Sequence, residues 1–148
     1  MTETSADLPW VRTFYGVAHP WLCDEMGHLN TRNYVGMFDD AMQHFMRVLG
    51  HNAIDARADD IGWADVRHEI DYLAEVPIGA LIHIDCAVTR LGSKSISYKQ
   101  DMYLSDRGER AASNVATSVL FDLDKRRAIP ITSEIRTGSE KYLLAEQG

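Results

Sequence analysis

Apolar positions follow two rhythms along this chain, and the switch between them marks the elements. From Arg32 to Leu49, the residues Tyr34, Met37, Phe38, Ala41, Met42, Phe45, Val48 and Leu49 recur at intervals of three and four, which gathers them on one face of a helix. Asn30 or Thr31 stands where an N-cap belongs, and Gly50 closes the run. A helix of that length spans roughly 27 Å at 1.5 Å per residue. Its wide apolar stripe needs a broad cover. Met37, Met42 and Met46 along it read as adaptable core filler.

Elsewhere the period is two. Trp10 to Val17 is rich in β-branched and aromatic residues and predicts a first strand, and Ile61 to Tyr72 predicts a second. Leu81 to Arg90 alternates with Ile82, Ile84, Cys86 and Val88 on one face, and Lys94 to Leu104 with Ile96, Tyr98, Met102 and Leu104. Ala111 to Leu123 carries Val115, Val119, Phe121 and Leu123 as its apolar positions. Leu91-Gly92-Ser93 and Asp106-Arg107-Gly108 are short enough to join the last three strands as an antiparallel meander. His51 to Asp60 reads as a polar connector, Pro77 and Gly79 as a break, and Ser133 to Leu144 as a short C-terminal helix weakened by Gly138. One long helix after the first strand and none between the later ones excludes repeated βαβ units and predicts an α+β fold, a curved antiparallel sheet around the helix. An exposed sheet edge then calls for a partner, so pairing of copies through the sheet is expected.

Composition narrows the possibilities. The 148 residues are 45% apolar and 25% charged, which fits one globular domain over 1–148, with 1–9 as a loose leader and 133–148 as a short helix or tail. The longest apolar run, Val76 to Ile82, is far short of the roughly 20 residues of a membrane span. The acidic, polar start is unlike a signal peptide, so a cytoplasmic protein without membrane association is expected. A formal net charge of −7 argues against nucleic-acid binding. Cys23 and Cys86 form no CxxC pair and the six histidines no HExxH, so neither a metal nor a bound cofactor is expected.

The stretch between Ala18 and Thr31 is irregular and dense in reactive side chains. Its Asp24-Glu25-Met26-Gly27-His28-Leu29-Asn30, followed by Tyr34 and the apolar helix, resembles the D-x-x-G-H-x-N-x-x-x-Y signature of the hotdog-fold acyl-CoA thioesterases, the group that includes 4-hydroxybenzoyl-CoA thioesterase. The likeness extends over roughly residues 10 to 132 through the strand order, the break after Tyr72 and the Ile129-Pro130-Ile131 ending. It implies a hotdog fold, hydrolysis of a small acyl-CoA to free acid and coenzyme A, and a homodimer or homotetramer.

The resemblance implies that Asp24 is the nucleophile or the general base toward water. An aspartate is ionised at neutral pH and can attack directly, whereas a base gains from burial that raises its pKa. Read without the motif, Asp24 is a loop acid that caps a turn. Unpaired amides at the helix start are candidates for holding the developing oxyanion. Gly27 permits close backbone approach, and His28 and Asn30 are candidates for orienting the carbonyl, the water or the carboxylate. Tyr34 fits either core packing or a pocket wall. A thiolate at Cys23 is a rival nucleophile.

Coenzyme A phosphates require basic groups. By resemblance these are Arg90, Lys94 and Ser95 on the strand-to-strand turn, which without the resemblance reads equally as a solvated turn, as Lys125 to Arg127 does. The chain departs from the group where many members carry Glu-Ala-Arg and it has Asp40-Ala41-Met42, so Asp39, Asp40 and Gln43 become candidates for a pocket. Asp65, Arg67, Glu69 and Asp71 fall on one face by period two, a row that ordinarily faces solvent and in a hotdog dimer could instead line the interface or an acyl pocket. That surplus of carboxylates, with Trp21 or Trp63 as a wall, suits a quaternary-ammonium acyl group such as betainyl. An enoyl-CoA hydratase or dehydratase on the same fold, and a non-catalytic acyl-CoA binder, are the alternative readings.

Overall fold

The computed structural model describes residues 6–145. Of the expected leader, residues 1–5 lie outside the described residues, as do 146–148 of the tail. The elements run β1 (Val11–Val17), α1 (Thr31–Val48), α2 (Ala53–Ala58), β2 (Ile61–Tyr72), β3 (Leu81–Leu91), β4 (Ser95–Leu104), β5 (Glu109–Asp122), β6 (Arg127–Ala128) and α3 (Ser133–Glu140). The sheet is antiparallel in the order β1-β3-β4-β5-β2, with β6 paired to β5. Two strands adjacent in sequence, β1 and β2, thus end on opposite edges. The meander β3-β4-β5 fills the space between them.

α1 lies in the hollow of this sheet, as its stripe demands. Tyr34, Met37, Phe38, Ala41, Met42, Phe45 and Met46 are buried, and Asn30 caps the start by accepting the Arg32 amide. Val48, expected on the stripe, is 39% exposed, and Met46 takes the inner position instead. Against the helix stand Ile82, Ile84, Cys86 and Val88 of β3 and Ile96, Tyr98 and Met102 of β4.

β5 departs from its apparent pattern. Its inner residues are Ala112, Asn114, Ala116, Ser118 and Leu120, all buried, while Val115 and Val119 face outward. Register fixes this: Asn114 pairs with Gln100, Ala116 with Tyr98 and Ala112 with Met102, each an inward residue of β4. Small side chains here let the thick helix approach the sheet, so the apolar positions of this strand mark its outer face.

Three other expectations are corrected. The polar connector contains α2, one and a half turns capped by Asn52, whose side chain accepts the Ile54 and Asp55 amides. The C-terminal helix stops at Glu140, and Leu144 instead donates its amide to Val88 at the end of β3. Gly138 serves packing: a Cβ added there would be driven into the Leu49 carbonyl oxygen at the end of α1. Among the described residues no helix is long and apolar enough to cross a membrane.

Candidate active site

The loop ahead of α1 is a compact hairpin built around Asp24. The Asp24 amide donates to the His28 carbonyl at 2.9 Å, and the Gly27 amide to the Asp24 carbonyl at 3.0 Å. Asp24 Oδ1 accepts the Met26 amide at 3.0 Å and the His28 amide at 3.4 Å. Gly27 turns the chain with φ +79°, a conformation that costs a side-chain-bearing residue steric energy. The hairpin is stitched to the segment before β3, with the Leu29 amide on the Val76 carbonyl and the Ile78 amide on the Gly27 carbonyl. The reading of Asp24 as a loop acid that caps a turn is what these bonds show: Oδ1 closes the turn, and the bonds that do so fix the side chain.

That carboxylate lines a cleft of about 310 Å³ with Met26, His28, Tyr34, Tyr72 and Glu75. Tyr34 is both wall and core, 5% exposed, with its ring edge-on to Tyr72 at 5.0 Å between centroids. Burial first, then the charges of Tyr72 and Asp24, push its phenol above the usual range, so it remains a neutral hydrogen-bonding group. His28 Nε2 lies 3.2 Å from Glu75 Oε2. Nothing in the sequence marks Glu75 or Tyr72 as part of a site: Glu75 is one more charge ahead of the Pro77 break, and Tyr72 is the end of a strand. Contact between His28 and the irregular segment beyond β2 is long-range and leaves no periodic signal.

The start of α1 contributes less free backbone than expected. The Met26, Gly27, His28, Leu29 and Asn30 amides all donate within the chain, and the Arg32 amide is taken by the Asn30 cap. Thr31, the first helical residue, also faces the cleft. Cys23 is the wrong kind of thiol for the rival mechanism: burial, then the Asp24 charge, raises its pKa away from the thiolate, and its Sγ donates to the Ala18 carbonyl.

Asp24, His28 and Tyr34 are thus brought together on the cleft; Gly27 turns the chain beside it, and Asn30, whose side chain caps α1, is not among its lining residues. Arg90, Lys94 and Ser95 stand apart from it. The β3 end nearest the hairpin is Leu81, tied through Ala80 to Ala18, while Arg90 stands at the other end of this eleven-residue strand, about 30 Å away at 3.3 Å per residue. Their turn packs on α3 instead, where Arg136 donates to the Gly92 carbonyl at 2.8 Å. Lys125 to Arg127 form an exposed turn at that same far end, with the Lys125 amide held by Asp122 Oδ1.

The candidates on α1 separate as well. Asp40 and Gln43 face β1, in a second cleft of about 560 Å³ with Arg12, His44 and Arg47. Asp39 faces β2. There a β-bulge at Val66 corrects the expected row of charges: Asp65 pairs with Ser118 and Arg67 with Thr117, so Asp65 points inward with Trp63 and His68 while Arg67, Glu69 and Asp71 point outward. Asp65 Oδ1 accepts from Ser118 Oγ at 2.7 Å, and Ser118 in turn meets the buried Tyr98 hydroxyl at 3.0 Å. Trp21, the other proposed wall, is 72% exposed and stacks on His19.

The thioesterase-like superfamily model matches residues 18–138 of the chain. No curated protein matches it. Among solved structures, the SAV2348 protein of Staphylococcus aureus, in complex with CoA, superposes with a TM-score of 0.84 at 15% identity, covering 97% of this chain and 93% of its own. YbaW of Escherichia coli, a probable thioesterase, superposes with a TM-score of 0.74 at 21% identity over 87% of this chain and 96% of its own. Slr0204 of Synechocystis, a 1,4-dihydroxy-2-naphthoyl-CoA thioesterase, gives 0.75 at 13% identity over 84% and 92%. The sheet wrapped on one helix is the hotdog fold, the family match spans most of the chain, and the chain belongs to the thioesterase-like superfamily of thioester hydrolases.

Proposed function

We propose that the protein hydrolyses a small acyl-CoA, with Asp24 as the reacting carboxylate. The observation that carries this is the restraint on Asp24: two backbone amides hold Oδ1, which leaves Oδ2 as the oxygen available to a thioester carbonyl or to a water in the cleft. Either role, nucleophile or general base, uses the same oxygen. His28, paired to Glu75, stands beside it to orient the carbonyl or the water. CoA as the carrier is supported by the family match and by the CoA complex of the similar SAV2348 fold.

The distant basic groups point to a dimer as the working unit. β2 is a twelve-residue edge strand with most of its middle exposed, a template for another strand. A second copy paired antiparallel along it would set the Ile61 end of one copy beside the Tyr72 end of the other. The partner's basic turns would then approach the cleft that its own Arg90 and Lys94 cannot reach.

The test is release of free thiol from a panel of acyl-CoAs, run beside sedimentation of the enzyme. Thiol release above background by a dimer or tetramer is expected. Tight binding of acyl-CoA with no release across the panel makes the chain a binder, and loss of the enoyl chromophore in unsaturated esters makes it a hydratase.

A further inference from the structure

The inward-turned Asp65 belongs to a polar cluster that the hydrolysis itself does not use. Gln100 Nε2 donates to the Phe38 carbonyl of α1 at 2.8 Å, which leaves Gln100 Oε1 to accept Asn114 Nδ2 at 2.9 Å. A carbonyl only accepts, so this chain of bonds fixes both amides. Asn114 Nδ2 also reaches His68 Nδ1 at 3.1 Å, which makes that nitrogen an acceptor and places the ring proton on Nε2, 3.8 Å from Asp65 Oδ2. Asn114 Oδ1 is left over: the residue is fully buried, and this oxygen has no hydrogen-bond partner. A buried acceptor without a donor costs about 1–3 kcal/mol.

Asp39, on α1, stands close enough to this cluster to interact electrostatically with Asp65 and His68. Burial first, then Asp65 and Asp40, raise its pKa, and only His68 opposes them. Among the described residues no lysine or arginine makes an ion pair with Asp39 or Asp65. The buried acids are paired, Asp85 with Arg12 and Asp101 with Arg110 and Lys99, whereas Asp39 is half-buried and Asp65 is partly open to solvent. Asp39, Asp65 and the orphan acceptor Asn114 Oδ1 gather negative charge with no lysine or arginine against it among the described residues, and the buried Trp63 Nε1–H on the same face of β2 also stands without a partner. Trp63, on the same face one inward position beyond Asp65, adds an aromatic surface of the kind that attracts cations.

We infer that the groove between α1 and β2, with Asp39, Asp65 and Asn114, binds the positively charged tail of the acyl group. This rests on the reading that the thioester meets Asp24. Tyr34, on the Asp24 cleft, and Asp39 are five residues apart on α1, a rise of about 7.5 Å. The charge therefore stands several carbons from the carbonyl. A protonated amine would donate to Asn114 Oδ1; a quaternary ammonium would be held by the carboxylates and the indole alone.

The test pairs cationic acyl-CoAs with neutral isosteres of the same shape: trimethylammonioacetyl with 3,3-dimethylbutanoyl, and 4-trimethylammoniobutanoyl with 5,5-dimethylhexanoyl. The wild type is expected to prefer at least one cationic member by tenfold or more in kcat/KM. Asp39→Asn and Asp65→Asn should each bring that ratio close to one, and Glu69→Gln, outside the groove, should leave it. A wild-type ratio at or below one for both pairs overturns the inference, as does an unchanged ratio in both Asp variants. Calorimetric binding of 4-trimethylammoniobutanoate, 5-aminopentanoate and 5,5-dimethylhexanoate separates this from the hydrolase reading. Asp39-dependent binding of the cations with no thioester hydrolysis refutes only the latter, and tighter binding of the amine than of the quaternary ammonium identifies Asn114 as a donor-seeking contact.

Discussion

Asp65 and Arg67 are separated by one residue on β2 and face opposite sides of the sheet. Val66 is the extra residue of a bulge, so Asp65 opposes Ser118 while Arg67 opposes Thr117. Deleting Val66 restores an unbroken two-residue period, which forces either Trp63 and Asp65 outward or Ile70 and Tyr72 off the inner face. We expect a loss of several kcal/mol, since burying one aliphatic or aromatic side chain is worth about 1.5–3 kcal/mol. Urea unfolding of the deletion variant measures it; stability within 0.5 kcal/mol of wild type would show that the bulge is dispensable.

Asp39 should cost stability at neutral pH. Its folded pKa is raised by burial and by Asp65 and Asp40, so the folded state holds its proton more tightly than the unfolded chain does. The penalty is absent at pH below the ordinary carboxylate range, where both states are protonated, and complete above the folded value, where both are ionised. Asp39→Asn is therefore expected to raise Tm at pH 7, to keep only part of that gain near pH 4, and to lose it at about pH 3, below the ordinary carboxylate range. An equal shift at all these pH values would mean that charge is not the cause.

Glu75 is expected to position His28. With the pair 3.2 Å apart and Glu75 largely exposed, the contact adds little to stability, typically about 0–1 kcal/mol for an exposed pair. Its effect should fall on turnover instead. Glu75→Gln should lower kcat by about 3- to 10-fold, a barrier change of roughly 0.7–1.4 kcal/mol, with KM little altered, and Glu75→Asp should recover part of the loss. Steady-state kinetics of the two variants decide this: an unchanged kcat makes the pair a surface contact only.

Gly138 should be intolerant of any side chain. A methyl group there meets the Leu49 carbonyl oxygen, the end of α1 against which α3 packs. Gly138→Ala gains helix propensity in α3, worth about 1 kcal/mol, yet overpacking typically costs 1–3 kcal/mol and more when backbone must move. Thermal unfolding is expected to show net destabilisation. A stabilised variant would return the glycine to the role of simple helix breaker.

The long elements were legible because each has one dominant period. Helical spacing from Tyr34 to Leu49 located α1 to within a residue at its start and its end, and the limits of β2 were read off directly. Where the local pattern was ambiguous, tertiary contacts decided. The row Asp65, Arg67, Glu69, Asp71 keeps a perfect period of two in sequence, so nothing in it announces the bulge. Val115 and Val119 look like core until register with Gln100 and Tyr98 turns them outward. The Asp24 hairpin was readable as a contiguous motif, whereas Glu75, 47 positions after His28 in the chain, meets it only through the fold.

The central claim is that Asp24 reacts. Its most direct test is thiol release by Asp24→Asn, with circular dichroism and sedimentation confirming the native fold and assembly. Asparagine can still accept the Met26 and His28 amides through its carbonyl oxygen, so the hairpin should survive while the charge is gone. A fall in kcat of about 100-fold or more, within the range lost with a general base, is expected on every acyl-CoA that the wild type hydrolyses. Retention of most of the wild-type rate by a folded variant would contradict the assignment.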